Sequence, residues 1–449
     1  MTQEQALELI KKGHNVFITG KAGTGKTFLL NLLKTEIKDK LIFYTASTGI
    51  ASTHLDGMTI HSYSGIGVKG KSEMTDHELV KLQQNMYFER RMNATDILVI
   101  DEISMLHAYQ LDMIDRVCRF VRNGNEAFGG LQVIFCGDFF QLPPVVNGDD
   151  KVEFAFESVI WNNMGLKICY LEHVYRQSDL KFLQILNEIR ANDIQQDSID
   201  FLTSRMNKNV EMNLTPIKLY PTNREVDTIN DDELYKINAP IKSYHMKEHG
   251  KQKWMIDNLK KSCLAPETLY LKEGASVMFI KNKFNYSIED GMIVSEPIYT
   301  NGTMGTVVGF TDFDIPIVEL ANGNKVYAEP VRWEKEDLSF TGEKTVVAYI
   351  EQIPLKLAWA ITVHKSQGMS LDCAEMDLSK TFTEGMGYVA LSRVKSLDGI
   401  KLTGINEMVY KVNYKISEID KVFKEQSDLI EKDICVPVIE EDKNKEELI

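Results

Sequence analysis

The segment Gly20-Lys21-Ala22-Gly23-Thr24-Gly25-Lys26-Thr27 fits the pattern G-x-x-x-x-G-K-[ST] in full. Glycines at these positions let backbone N–H groups curl around phosphate oxygens, with Gly23, Thr24 and Gly25 as the cradle. A helix starting beyond the loop adds a dipole that favours an anion. Lys26 is then the residue to reach the β- and γ-phosphates of a nucleoside triphosphate, and Thr27 the hydroxyl to hold Mg²⁺. Downstream, the apolar run Ile97-Leu98-Val99-Ile100 ends in Asp101-Glu102. Asp101 suits coordination of the same Mg²⁺, and Glu102 can polarise an attacking water, which separates hydrolysis from binding. A third run, Gln132-Val133-Ile134-Phe135-Cys136, leads into Gly137-Asp138-Phe139-Phe140-Gln141-Leu142-Pro143-Pro144. There the Gln141 amide can sense a γ-phosphate, and the prolines fix the exit of the loop. ATP and Mg²⁺ are the expected cofactors.

The elements that must carry these residues are short apolar strands alternating with helical patterns. Val16-Phe17-Ile18, Leu41-Ile42-Phe43-Tyr44 and the two runs above are continuous apolar strands, the signature of a parallel sheet covered on both faces. A second set comprises Ile168-Cys169-Tyr170-Leu171, Ile217-Lys218-Leu219-Tyr220, Ser276-Val277-Met278-Phe279 and Ala374-Glu375-Met376-Asp377-Leu378. It has no phosphate loop of its own, so a second α/β domain that supports the first site is expected. Between residues 295 and 352 the texture becomes purely β, with Asn322-Gly323 as a hairpin signal, and reads as a small inserted β-barrel. Residues 64–93 read as a mainly helical insertion. The expected division is 1–165 for the first domain, 166–294 with 353–425 for the second, 295–352 for the barrel, and 426–449 for an acidic, solvated tail.

Composition is that of a globular chain: 449 residues, 43% hydrophobic and 26% charged. No run of about 18 apolar residues suggests a membrane span. The start, Met1-Thr2-Gln3-Glu4-Gln5, is polar and unlike a signal or transit peptide, so a cytoplasmic location is expected, with nucleoid association if the source is bacterial. The six cysteines contain no Cys-x-x-Cys pair, which favours reduced, buried thiols over zinc or disulfides. The formal charge of −14 argues against nucleic acid as a partner, but only weakly, since a groove needs local positive charge alone.

Several motifs in order carry a resemblance. The phosphate loop, Thr45-Ala46-Ser47-Thr48-Gly49-Ile50-Ala51, Asp101-Glu102-Ile103-Ser104-Met105 and residues 137–144 are similar to superfamily 1 helicases. So are Val174-Tyr175-Arg176-Gln177, the run from Trp359 through His364-Lys365-Ser366-Gln367-Gly368 to Asp372, and Tyr388-Val389-Ala390-Leu391-Ser392-Arg393-Val394. The wording is closest to the Pif-type family of 5′-to-3′ DNA helicases. The resemblance implies two RecA-like domains, an SH3-like character for the inserted barrel, and a monomeric core. It also implies ATP-driven translocation 5′-to-3′ on single-stranded DNA and unwinding of 5′-tailed duplexes. The settings would be replication, repair, recombination or the upkeep of telomeric and structured DNA. Four-stranded guanine structures and RNA–DNA hybrids are candidate substrates.

Residue by residue, the resemblance implies that Gln3 reads the adenine edge, with Gln5 its rival by local wording. Arg176 and Arg393 would reach the γ-phosphate from the second domain, a task suited to a permanently charged, rigid donor fork. Gly368 would approach the nucleotide by its backbone. A single strand needs phosphate donors along its track. Ser47, Thr48 and Gly49 follow a strand end and can donate to phosphates, and His61 and Ser62 come next in the same region. Asn223, Thr362, His364 and Lys365 are placed comparably on the second domain. Each has a plainer alternative: a core or capping histidine for His61 and His364, a helix cap for Asn223. Phe139 and Phe140 read as core before base-stacking. A protein-remodelling ATPase and a binding module with a decayed ATP site are rival classes. Intact Lys26, Glu102 and Arg393 speak against the second.

Overall fold

The computed structural model describes residues 1–435 apart from 54, 56, 68–73, 146–150, 176–178, 211–215, 221–225, 251, 290–291, 339–343 and 364–365. Arg176, Asn223, His364 and Lys365 therefore lie outside the described residues.

The first domain opens with α1 (Gln3–Lys11), β1 (Val16–Gly20) and α2 (Lys26–Glu36), followed by β2 (Ile42–Ala46), β3 (Met58–Thr59), β4 (Ile97–Asp101), β5 (Gln132–Cys136) and β6 (Lys167–Leu171). These strands form one parallel sheet in the order β3-β2-β4-β5-β1-β6. Successive side chains enter opposite faces. Phe17, Leu98, Ile100, Val133 and Phe135 join one buried cluster. Val16, Ile18, Ile97, Val99, Ile134 and Cys136 join another on the far side. Two-sided burial is why the strands read as unbroken apolar runs, and each such side chain contributes about 1.5–3 kcal/mol. A charge in place of Val99 would break this packing.

β6 corrects one expectation. Residues 168–171 pair with β1, Val16 opposite Lys167 through Gly20 opposite Leu171, so they extend the first sheet rather than begin the second, and the boundary at 165 moves beyond Leu171. An apolar strand looks the same in either sheet, and only the pairing decides. The helical insertion is present as Asp76–Gln84 and Met86–Ala94. Thr75 and Glu78 form a capping box on the first helix, and Asn85 caps the second. Leu79, Phe88 and Met92 bury the pair in the same cluster as the helix Ala108–Arg122.

The second parallel sheet runs Ala360–Thr362, Ile217–Tyr220, Ala374–Leu378, Ile400–Ile405. Ser276–Phe279 does not join it. That strand sits between Met304–Phe310 and Leu355–Leu357 in a five-stranded antiparallel sheet completed by Pro316–Leu320 and Lys325–Tyr327. This sheet has its own core of Val277, Phe279, Val307, Val318 and Leu355. The Asn322-Gly323 turn closes its hairpin, Gly323 taking φ +80°. Residues 346–350 were expected in the same barrel. Instead they lie in Lys344–Gln352, which pairs with Val331–Leu338 and Lys247–Gly250 in a separate sheet. The β-rich unit therefore draws on strands well before residue 295, and its ladders run in an open order among the described residues.

The first ten residues of the expected acidic tail, 426–435, are helical. Tyr414–Cys435 is one helix of 22 residues. It returns to the first domain, where the Tyr170 N–H donates to Ser427 Oγ at 3.0 Å. Phe423 stands 5.3 Å from Phe17 between ring centroids. Ile416, Ile419, Phe423 and Ile430 form an apolar stripe at helical spacing, overlooked beneath the acidic composition.

Candidate active site

β1 delivers the chain into the phosphate loop at Gly20, and α2 begins at Lys26 with Gly25 at its N-cap. Gly20 and Gly25 of the loop take positive φ, and at Gly20 space demands glycine as well. At Gly20 (φ +142°) a Cβ would lie 2.3 Å from the Leu171 carbonyl oxygen, and at Gly25 (φ +80°) 2.3 Å from Gln3 Nε2. The Lys26 ammonium donates to the carbonyls of Gly20 (2.8 Å) and Lys21 (2.9 Å). Its burial pushes its pKa down, against the pull of Asp138 and Glu102. Gln3 lies over the loop, its Nε2 3.3 Å from the carbonyls of both Thr24 and Gly25. Gln5 is occupied instead in the capping box of α1, where its Oε1 accepts the Thr2 N–H at 2.8 Å. Of the two rivals, Gln3 is the one whose side chain bonds to the phosphate loop.

β4 ends in Asp101, and Glu102 follows in the left-handed region (φ 52°, ψ 45°). Such a backbone costs a residue with a side chain on the order of 1–3 kcal/mol and persists only where its surroundings enforce it. Here the enforcement is visible. Ser47 Oγ donates to the Glu102 carbonyl at 2.7 Å, and the Ser47 N–H to the Asp101 carbonyl at 3.1 Å. Asp101 Oδ1 accepts the Glu102 N–H at 2.8 Å. From the second domain, Gln367 Nε2 donates to Glu102 Oε2 at 2.9 Å. Burial, with the neighbouring Asp101 charge, raises the Glu102 pKa to about 7, while Arg393 and Lys26 pull it down. Burial also raises that of Asp101.

Around these groups lies a cleft of about 470 Å³ between the domains. The first domain gives it Gly23, Thr24, Gly25, Lys26, Thr27, Glu102 and Gln141, and the second gives it Gly368 and Arg393. Gln141 is 6% exposed, and its Oε1 is buried without a hydrogen-bond partner. A buried acceptor is costly unless something else satisfies it, and this one belongs to a side chain that lines the cleft. Arg393 is 1% exposed, held against the end of the preceding helix Met386–Leu391 through Nε to the Val389 carbonyl at 2.9 Å and Nη2 to Ser392 Oγ at 3.0 Å. Burial pushes its pKa down, opposed by Glu102.

The residues fit Mg²⁺. Thr27 and Asp101 offer hard oxygen donors beside the phosphate loop. Among the described residues no group of three or more His, Cys, Asp or Glu could cage a metal by itself. Mg²⁺ is characteristically held by one or two protein oxygens plus substrate phosphates.

Other expected residues fall into two groups. Thr48 accepts the Ala51 N–H at 3.2 Å, and Gly49 starts the short helix Gly49–Thr53. His61 and Ser62 sit on Ile60–Ser64, with Ser62 exposed and His61 half-buried, its pKa lowered by burial. These line the strand ends beside Ser47. Thr362 is 1% exposed and so supports the surface rather than forming it. Phe139 and Phe140, each 3% exposed, are core. Among the described side chains, Cys118, Cys136, Cys169 and Cys373 are buried and Cys263 is half-buried, all free. Among the described residues no helix is long and apolar enough to cross a membrane.

Three contributions were missed. Gln367 stands inside a motif whose wording was legible, but its target, Glu102, is on the other domain. Tyr175 reaches the loop through its N–H to the Gly23 carbonyl at 2.8 Å. Asn282 and Thr300 bring the β-rich unit to the edge of the cleft. Only the fold reveals these placements.

A phosphate loop, an Asp-Glu strand end and an arginine from a second parallel sheet, converging on one cleft, define a two-domain P-loop nucleotide hydrolase of RecA-like build. Residues 1–199 match the model of the PIF1-like helicase family. The chain is 40% identical to the ATP-dependent DNA helicase Pif1 of Psychrobacter sp., over 95% of this chain and 71% of that one. It spans 67% of the Xenopus laevis relative and 63% of the human one. Among solved structures, it is similar to Bacteroides sp. Pif1 in complex with ADP-AlF4, with a TM-score of 0.80, 31% identity, and coverage of 94% of this chain and 96% of that one. Bacteroides Pif1 bound to single-stranded DNA matches with a TM-score of 0.60 at 30% identity, over the same shares of the two chains. The chain belongs to the PIF1-like helicase family.

Proposed function

We infer that this chain is an ATP-dependent DNA helicase that moves 5′-to-3′ on single-stranded DNA and opens duplexes carrying a 5′ tail. The observation that carries the ATP-driven part of the reading is the bond from Gln367 of the second domain to Glu102 of the first, with Arg393 in the same cleft, while the polarity rests on the family wording. Closure of the domains and assembly of the hydrolytic site are thereby linked.

The chemistry follows from the residues. Lys26 and the loop N–H groups bind the phosphates, and Gln3 and Tyr175 border the base end of the cleft. Glu102 orients and deprotonates the attacking water, with Gln367 fixing its carboxylate. Gln141 and Arg393 meet the γ-phosphate, and Arg176 is assigned the same task by family wording. Thr27 and Asp101 would hold Mg²⁺, which neutralises phosphate charge when bound. Ser47 ties the DNA-facing strand end to Glu102, so a strand gripped near Thr48, Gly49, His61 and Ser62 is felt at the site of hydrolysis. Asn223, His364 and Lys365 complete the track on the second domain in this reading. Guanine quadruplexes and RNA–DNA hybrids remain within its substrate range, the core acts as a monomer, and its location is cytoplasmic.

The test is strand displacement on three partial duplexes, 5′-tailed, 3′-tailed and blunt, beside ATP turnover with and without single-stranded DNA. Opening from the 5′ tail and DNA-stimulated turnover are expected. Turnover indifferent to DNA would favour a protein-remodelling ATPase, and efficient opening from a 3′ tail would overturn the polarity.

A further inference from the structure

Behind the cleft lies a buried charge network that none of the motif roles above uses. Arg190, 5% exposed on the helix Leu180–Ala191, presents Nη1 to both carboxylate oxygens of Asp138 at 2.8 Å, and Asp138 is 1% exposed. The same Nη1 donates to the Tyr388 hydroxyl at 3.2 Å. Nη2 donates to Tyr170 on β6 (3.3 Å) and to Asp420 on the returning helix (3.4 Å). The guanidinium carbon stands 3.9 Å from the centre of the Phe140 ring. Tyr388, 1% exposed, accepts the Ala22 N–H of the phosphate loop at 3.2 Å.

The Asp138 and Tyr388 arms lead to parts of the cleft, whereas the Nη2 arms tie the network to β6 and the returning helix. Asp138 accepts the Phe140 N–H through Oδ1 (3.2 Å), and its carbonyl accepts the Gln141 N–H (2.9 Å), so the carboxylate that Arg190 grips shapes the turn carrying the unpartnered Gln141 amide. Tyr388 belongs to the short helix Met386–Leu391, and the neighbouring Val389 carbonyl is the one that holds Arg393 Nε. Ala22 lies in the phosphate loop itself. A guanidinium paired on both sides in a water-poor interior tolerates little displacement, because a buried charge left without its partner is strongly unfavourable.

We propose that Asp138, Arg190 and Tyr388 act as one positioning unit for hydrolysis, setting the distance from Gln141 and Arg393 to the phosphate loop. None of the three touches substrate. The unit rests on the assignment of ATP hydrolysis to this cleft. It goes beyond that assignment by stating that binding and turnover depend on different residues. The ground state needs the loop. The transition state needs Gln141 and Arg393 at a fixed separation, and the network supplies it.

Tyr388→Phe removes a single oxygen and keeps the ring packed, and Arg190→Lys keeps the charge but loses the fork. Circular dichroism establishes that each is folded. Affinity for mant-ADP and for mant-ADP with aluminium fluoride, both with Mg²⁺, is then measured beside kcat and KM for ATP. Loss of the bonds at the Tyr388 hydroxyl, if felt chiefly in the transition state, predicts at least about a tenfold fall in kcat and in affinity for the aluminium fluoride complex, with ADP affinity and KM nearly unchanged. Equal loss of both affinities would show a merely structural role, and no change in either would show that the network does not act on the site. Both overturn the proposal. If the unaltered protein does not turn over ATP at all, the assignment of the cleft fails first and the positioning unit with it.

Discussion

At the scale of single residues, the site separates groups that hold phosphate from groups that act on it. Lys26 is tied to the loop carbonyls and far in sequence from the strand ends around Ser47 and His61. Lys26→Ala should therefore abolish turnover and leave most single-strand affinity, measured by fluorescence anisotropy of a labelled oligonucleotide. Near-normal turnover would remove Lys26 from the site. Arg393 lies in the cleft and is anchored to the last turn of the preceding helix, Met386–Leu391. Arg393→Ala should lower turnover by as much as ~10³–10⁵, the range for a transition-state arginine in NTPases, with a smaller change in nucleotide affinity. A loss confined to affinity would make it an ordinary ground-state contact. Both residues were legible because their motifs are local patterns. Gln367 was not, because its meaning is a distance to Glu102 that no spacing within either motif encodes.

At the scale of elements, Tyr414–Cys435 was hidden and β6 was misplaced. The helix reads as acidic by composition, and its stripe of Ile416, Ile419, Phe423 and Ile430 has a purpose only beside the face it covers. That face includes Phe17, Phe139 and Trp161, all within 6.2 Å of Phe423 between ring centroids. Phe423→Ala opens a cavity there and should cost about 3–5 kcal/mol, read from urea melts. A change below about 1 kcal/mol, the scale of an ordinary surface substitution, would mean the helix does not pack as described. The parallel strands β1, β4 and β5 were legible from their unbroken apolar runs. Ser276–Phe279 was not placed correctly, since a short buried run looks alike in parallel and antiparallel sheets, although the hairpin strands beside it were legible.

At the scale of the whole molecule, the charge of −14 must be reconciled with a polyanionic partner. Phosphate contacts release counterions, so single-strand affinity should fall steadily as salt is raised, with a slope reporting the number of phosphates engaged. A flat titration would shift the main source of binding to stacking on bases. The two-sheet plan was readable from the order of motifs. The interleaving of the β-rich unit with the second domain was not, because strands distant in sequence complete its sheets.

The returning helix also changes what the two lobes can do mechanically. The chain leaves the first sheet after Leu171, builds the second, and comes back to lie on β6 through Tyr414–Cys435. The lobes are thus joined by two covalent straps, like a door hung on a pair of pins. A single strap would allow swivel and twist in any direction, whereas two leave chiefly a swing about the line between them.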